Sequence, residues 1–249
     1  MTLLFDRVTF TYRRTLRPVL SQLTYEVPDQ GLTILLGPNG AGKSTTLALL
    51  AGTVAPTAGR VLFSDSNVTS ATRAFRRHVA WLPQRVPTSP QLTAREYVAY
   101  IAWLKGENRA HAWARAGAAL EQVSLAEQSG QKTASLSGGQ LRRVGIACAL
   151  AHDARVILLD EPTAGLDPHQ RSVFREVLGE VATSTPVLMS THDVNDLADA
   201  ADTVTLMESG KVRHHGGTQS FLDHARPEAA PGRKAESAYS ALMRLDGSR

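Results

Sequence analysis

The sequence predicts an α/β fold around a mostly parallel sheet, with an antiparallel β portion near the N-terminus and a helical insertion. Two patterns carry this. Leu32-Thr33-Ile34-Leu35-Leu36 and Val156-Ile157-Leu158-Leu159 are continuous apolar runs of strand length, as expected of strands covered on both faces. Between and after them stand segments of helical spacing, and strands alternating with helices imply a parallel sheet. A chain of 249 residues, 43% of them hydrophobic, suffices for one such domain with its own core.

The elements follow in order. Strands are expected over residues 3–10, 23–27 and 32–36, the second ending at Pro28. A Gly-rich turn leads to a helix over 43–50, and strands follow over 60–63 and 79–82. Residues 93–124 are Ala-rich, with Tyr97, Ile101 and Leu104 at helical spacing, and a largely helical subdomain is expected over about 88–150. Its last helix runs from Gly138 to His152. A strand over 156–159 comes next, then a helix from Pro168, a residue suited to a first turn, to Ala182. A strand over 187–190, a short helix over 194–200 and a hairpin of 203–207 with 212–214 across Ser209-Gly210 complete a domain of residues 1–225. Residues 226–249 are polar and contain Pro227, Pro231 and Gly232; they read as a mobile tail with a short helix near 238–245. Trp81, Trp103 and Trp113 read as packing residues.

Composition narrows the function classes. No stretch approaches the ~20 apolar residues that a membrane-spanning helix needs, so any membrane part is expected on another chain. Met1-Thr2-Leu3-Leu4-Phe5-Asp6-Arg7 lacks the charged start and apolar stretch of a signal peptide. Cys148 is the single cysteine, within an apolar helix, and reads as a small buried hydrophobe in a reducing compartment. The net charge of +4 is mild and no block of like charges occurs, so no nucleic-acid partner is expected. His214-His215 reads as part of a solvated hairpin rather than a metal site.

Chemistry is concentrated in a few motifs. Gly37-Pro38-Asn39-Gly40-Ala41-Gly42-Lys43-Ser44, followed by Thr45, matches the phosphate-binding loop, with a buried strand before it and a helix after it. Glycines there let successive N–H groups converge on a phosphate, and the helix adds its positive end. Lys43 is placed to reach the β- and γ-phosphates of a nucleotide such as ATP, and the Ser44 hydroxyl to hold Mg²⁺. The fold class is therefore that of a P-loop NTPase core. Downstream, an apolar strand ends in Asp160-Glu161: Asp160 is expected at the metal, and Glu161, one residue beyond, to polarise an attacking water. Ser137-Gly138-Gly139 at a helix start forms a second anion site by the same physics. Phe10 and Tyr12 lie two residues apart, and either can be the core aromatic.

Leu136-Ser137-Gly138-Gly139-Gln140 and its spacing to Asp160-Glu161 resemble the signature motif of ATP-binding cassette (ABC) proteins, and the resemblance covers about residues 3–222. It implies further roles. Tyr12 matches the aromatic that stacks on adenine, and Gln84 in Trp81-Leu82-Pro83-Gln84 matches the Q-loop glutamine that touches Mg²⁺ and water. Ala164-Gly165-Leu166-Asp167 matches the D-loop, and His192 in Ser190-Thr191-His192-Asp193 matches the switch histidine. The family arrangement implies two chains packed head to tail, the Ser137–Gln140 motif and Asp167 of one closing over the phosphate loop of the other. The pairing is expected to be a homodimer with both sites competent.

The same resemblance implies a nucleotide-binding subunit of a transporter, peripheral on the cytoplasmic face of a membrane and docked under a separate permease through residues 85–95. Gln91–Val98 and the Gly145-Ile146-Ala147 helix resemble the branch that serves drug, antibiotic and small-molecule exporters. An importer ATPase and a non-transport assembly factor are the alternatives; the cargo is not encoded in this chain.

Overall fold

The computed structural model describes residues 2–13, 17–63, 69–70, 72–197 and 201–244, which build two sheets. β1 (Leu3–Phe10), β2 (Leu20–Val27) and β4 (Ala58–Phe63) form an antiparallel sheet in the order β2-β1-β4. β3 (Leu32–Leu36), β5 (Val79–Leu82), β6 (Val156–Asp160), β7 (Val187–Thr191), β8 (Thr203–Glu208) and β9 (Lys211–Gly217) form the second, in the order β5-β6-β7-β3-β8-β9. All its pairings are parallel except β8 with β9. The α/β class with an antiparallel N-terminal portion is what the sequence patterns predict.

Side-chain alternation divides the core into two layers. On β3, Ile34 and Leu36 face one layer and Leu35 the other; on β7, Val187 and Met189 oppose Leu188. One layer lies between the sheets and takes Leu47, Leu49 and Leu50 of α1 (Lys43–Leu50) and Phe75 of α2 (Arg73–His78). The other receives α5 (Gly138–Ala151) and α6 (Pro168–Ala182), through residues such as Ile146, Phe174 and Leu178. Strands buried on both faces explain the unbroken apolar runs. Against α5 pack α3 (Ala94–Lys105), begun by a capping box of Thr93 and Glu96, and α4 (Arg109–Gln122), capped by Asn108.

The Ser209-Gly210 turn joins β8 and β9 as expected, both residues at positive φ, the geometry of a two-residue hairpin. A side chain at Gly210 would run into the Val19 carbonyl, 1.9 Å from its first carbon, and the Gly210 N–H donates to Ala41 O at 2.9 Å. The hairpin tip thus braces the phosphate loop.

Several expectations change. β2 and β4 start earlier than their apolar residues indicate, and α2 and α7 (Thr218–Leu222) are additional. The helix expected over 194–200 is a 3-10 turn, Val194–Leu197, and residues 198–200 lie outside the described residues. The short helix expected near 238–245 is α8 (Lys234–Arg244), which starts earlier and buries Ala238 and Leu242 in the core, while residues 245–249 lie outside the described residues. Two buried residues four apart suffice to dock one face of a helix that is otherwise polar. Trp103 and Trp113 are exposed rather than packed, and the Arg95 guanidinium sits 4.4 Å above the Trp113 ring; Trp81 is half-buried. Cys148 is buried as expected, and burial pushes its thiol up to about 12. His214 and His215 face opposite ways, His214 against Phe221 and His224, His215 against Tyr25, so they cannot share an ion.

Candidate active site

Parallel register brings four strand ends to one edge. Leu36 pairs with Thr191 and Asp160 with Ser190, so the loops after β3, β6 and β7 open together; β5, paired with β6 through Leu82 and Leu159, delivers Gln84 to the same edge. This is the crevice at the carboxyl ends of strands where open α/β sheets bind ligands.

The phosphate loop, Gly37 to Thr45, turns from β3 into α1. A side chain at Gly37 would come within 2.3 Å of the Met207 carbonyl of β8, which requires glycine there. Lys43 is 5% exposed, and its Nζ donates to Gly37 O at 2.7 Å and Pro38 O at 3.1 Å. Burial holds its pKa below the ordinary lysine value, opposed by the charges of Glu161 and Asp160. A partly dehydrated ammonium among glycines is suited to receive phosphate oxygens.

The carboxylates occupy distinct positions. Asp160 is buried; its Oδ1 accepts from Ser44 Oγ at 3.1 Å and from Ser190 Oγ at 2.7 Å. The Ser44 hydroxyl, the Asp160 carboxylate and the Gln84 amide oxygen are hard oxygen donors of the kind Mg²⁺ prefers, so the residues present fit that ion. Glu161 lies one residue beyond the strand with its backbone at φ 46°. Its N–H donates to Ser190 O at 3.2 Å and Ser190 Oγ at 3.0 Å. Its two carboxylate oxygens face different partners: Oε2 accepts from Gln84 Nε2 at 3.2 Å, and Oε1 lies 3.1 Å from His192 Nδ1. Gln84, Glu161 and His192 are thereby brought together, although they come from three loops.

Tyr12 and Phe10 separate cleanly. Phe10 is in the core, whereas Tyr12 is 46% exposed beside the phosphate loop, edge-on to Phe10, its hydroxyl 3.1 Å from Thr45 Oγ1. Ser190 is a positioning residue that the motif pattern does not single out; the sequence signal is a serine directly after the apolar run Val187-Leu188-Met189, and in the fold it is 0% exposed.

The second group of residues stands on helix starts. Ser137 caps α5 in a capping box, accepting from Gln140 N at 3.2 Å while Gln140 Oε1 accepts from Ser137 N at 2.8 Å. Asp167 caps α6, accepting from Gln170 N at 2.8 Å. The two starts abut: a side chain at Gly139 would touch Gln170, and Arg142 of α5 donates to the Ala164 carbonyl ahead of Asp167. Ser137 to Gln140 and Asp167 therefore form one braced block carried by α5 and α6.

A family model for ABC transporters matches residues 20–164. The chain belongs to the ABC transporter family. This ABC chain is 32% identical over 206 residues to the human retinal-specific phospholipid-transporting ATPase ABCA4, spanning 83% of this chain but only 9% of that protein. It is 33% identical over 232 residues to the sulfate/thiosulfate import ATP-binding protein CysA of Gloeobacter violaceus, 92% of this chain and 66% of that one. A dimeric post-hydrolysis structure of the ATP-binding cassette MJ0796 bound to ADP and Pi superimposes with a TM-score of 0.73 at 27% identity, covering 86% of this chain and 98% of that chain. Since an import protein stands among these relatives, they establish the family and not its drug-exporter branch. No helix among the described residues is long and apolar enough to cross a membrane.

Proposed function

We propose that this chain is the ATP-hydrolysing subunit of an ABC transporter, two copies closing head to tail around two Mg-ATP and powering movement through a separate membrane subunit. The observation that carries the reading is the Glu161 carboxylate, held between Gln84 and His192 on the edge where Lys43, Ser44 and Asp160 converge. In this reading Lys43 Nζ exchanges its loop carbonyls for β- and γ-phosphate oxygens, and Tyr12 stacks on the adenine. Glu161 orients a water against the γ-phosphorus and accepts its proton as the bond to ADP breaks. His192 stabilises charge on the γ-phosphate. Bound Mg²⁺, held by Ser44, Asp160 and Gln84, neutralises the phosphate oxygens. The braced block of Ser137–Gln140 and Asp167 is what each copy offers to the other site, a self-complementary pairing.

The membrane subunit docks beside the Q-loop, on residues 85–95, where the helical subdomain (about 88–150) begins. The exposed Tyr100, Trp103, Leu104 and Trp113 on α3 and α4 suit such a covered surface. Export of a small molecule is the direction that Gln91–Val98 favours by resemblance; the likeness to CysA favours import as the second reading. Vesicles reconstituted with the membrane subunit distinguish the two by the side on which cargo accumulates.

Glu161→Gln tests the ATPase core. It keeps the shape and hydrogen-bonding reach but removes the base, so ATP binding should persist, turnover should fall ~10²-fold or more, and a stable ATP-bound dimer should accumulate. A variant that stays monomeric under saturating ATP overturns the sandwich.

A further inference from the structure

Behind the loops that frame the site lies a buried carboxylate that the motifs do not account for. Asp196, in the Val194–Leu197 turn after the switch histidine, is 2% exposed. Its Oδ2 accepts from Thr163 Oγ1 at 2.9 Å and from Thr191 Oγ1 at 2.6 Å, and its Oδ1 accepts from Arg175 at 3.0 Å. A charge so deeply buried persists only where such partners satisfy it.

The partners belong to three different pieces of machinery. Thr191 ends β7 and immediately precedes His192. It also accepts from Asp193 N at 3.0 Å, so its single hydroxyl hydrogen is directed to Asp196. Thr163 lies between Glu161 and the 164–167 loop, and is itself 4% exposed. Arg175 is on α6, the helix that Asp167 caps, and donates also to Asn195 O at 2.7 Å. One turn earlier on α6, Arg171 pairs with Asp193 at 3.2 Å. The turn after His192 is thus pinned to α6 by two ion pairs, while one carboxylate oxygen bridges the hydroxyls of Thr163, after β6, and Thr191, at the end of β7.

We infer that Asp196 is a positioning residue that couples His192, which reads the γ-phosphate in the chain's own site, to the 164–167 loop offered to the second copy. The inference rests on the paired-ATPase reading above. A displacement of His192 toward bound phosphate pulls on Thr191, and the shared Oδ2 passes it to Thr163 and the loop beyond. Discrete hydrogen-bond arrangements of this kind are what transmit a local change between sites. The plainer alternative is that Asp196 only holds the turn in place, and the two differ in what a shape-preserving change does.

The experiment measures kcat, KM for ATP, the Hill coefficient and the unfolding midpoint of the full chain, its Asp196→Asn variant and its Thr163→Val variant. Asn matches the shape of Asp but cannot accept from both hydroxyls and the guanidinium. Coupling predicts a fall in kcat of about tenfold or more with KM within about twofold, and a Hill coefficient moving toward one. Thr163→Val leaves the bonds to Thr191 and Arg175 intact, so it should lower the Hill coefficient with a smaller loss of kcat. If folded Asp196→Asn keeps kcat within about twofold, or loses kcat and ATP affinity together in step with stability, the coupling role is overturned. Should Asp196→Asn fail to fold, Thr163→Val decides alone, an unchanged Hill coefficient refuting the coupling. A wild-type chain without ATP turnover overturns the functional reading and the inference with it, whereas an active wild type with normal variants overturns the inference only.

Discussion

Glu161 adopts a left-handed backbone conformation, which costs a non-glycine residue on the order of 1 kcal/mol. Two bonds from its N–H to Ser190 hold it there, and the same serine hydroxyl donates to Asp160. The identities of Asp160 and Glu161 are plain in the sequence, because an apolar strand ending in two acids is a local pattern. Ser190 and Asp196 are not plain, since Ser190 reaches back 30 residues to Asp160 and Asp196 reaches back 33 residues to Thr163. His152 presents a similar case. It is 7% exposed, and its Nδ1 lies 2.6 Å from the Cys148 carbonyl, so that nitrogen carries the hydrogen. Its Nε2 is buried with no partner among the described residues. Burial, reinforced by the Lys105 charge, pushes the imidazole down to about 4 from its ordinary 6.5. Between those values the unfolded chain binds a proton that the fold rejects, so this contribution is full above pH 6.5 and lost as pH falls toward 4. Chemical denaturation should show the wild type losing about 3 kcal/mol more than His152→Gln between pH 6.5 and pH 4. Equal losses would mean that His152 titrates normally in the fold.

At the scale of elements, the strands and most helices were legible because their signals are local, while the caps emerge from the structure. The apolar runs of β3, interrupted only by Thr33, and of β6, up to Asp160, announce burial, and Thr93, Asn108 and Asp167 each stand where a cap is needed and accept the bond a cap accepts. Less legible is what depends on a neighbour. The short C-terminal helix was legible, but α8 has too few apolar residues to show that it docks Ala238 and Leu242 beside α7 and the Val194–Leu197 turn. Trp103 and Trp113 look like core by composition, yet they lie on the outer faces of α3 and α4. The docking of α8 can be tested directly. Ala238 is 0% exposed, so Ala238→Asp should destabilise the chain by about 3 kcal/mol, read as a lowered denaturation midpoint. The exposed Lys234→Ala should change stability by less than about 0.5 kcal/mol. If both variants behave alike, α8 contributes nothing to the core.

For the whole molecule, the two sheets and two core layers act as a frame that presents each of two residue groups as a rigid unit. Strand register gathers Lys43, Gln84, Asp160, Glu161 and His192 on one edge, while α5 and α6 carry Ser137–Gln140 and Asp167 as a separate block. Arg142 joins the parts of that block through the Ala164 carbonyl. Losing such a charged hydrogen bond costs about 1.5 kcal/mol, roughly tenfold in an equilibrium. In a Glu161→Gln background, Arg142→Ala should therefore weaken ATP-driven pairing about tenfold by sedimentation, with the ATP affinity of a single copy unchanged. Pairing as tight as without the substitution would show that the brace is dispensable.

Taken alone, the sequence determined the α/β class, the phosphate loop, the two acids and the family resemblance, because each is written in neighbouring residues whose spacing has a direct physical meaning. Tertiary structure decided the rest: which aromatic faces solvent beside the phosphate loop, that the polar C-terminal segment docks as a helix, and that Ser190 and Asp196 brace the loops. Those outcomes depend on burial and on bonds between residues far apart in the chain, and such bonds exist only once strand register and helix packing have brought the residues together.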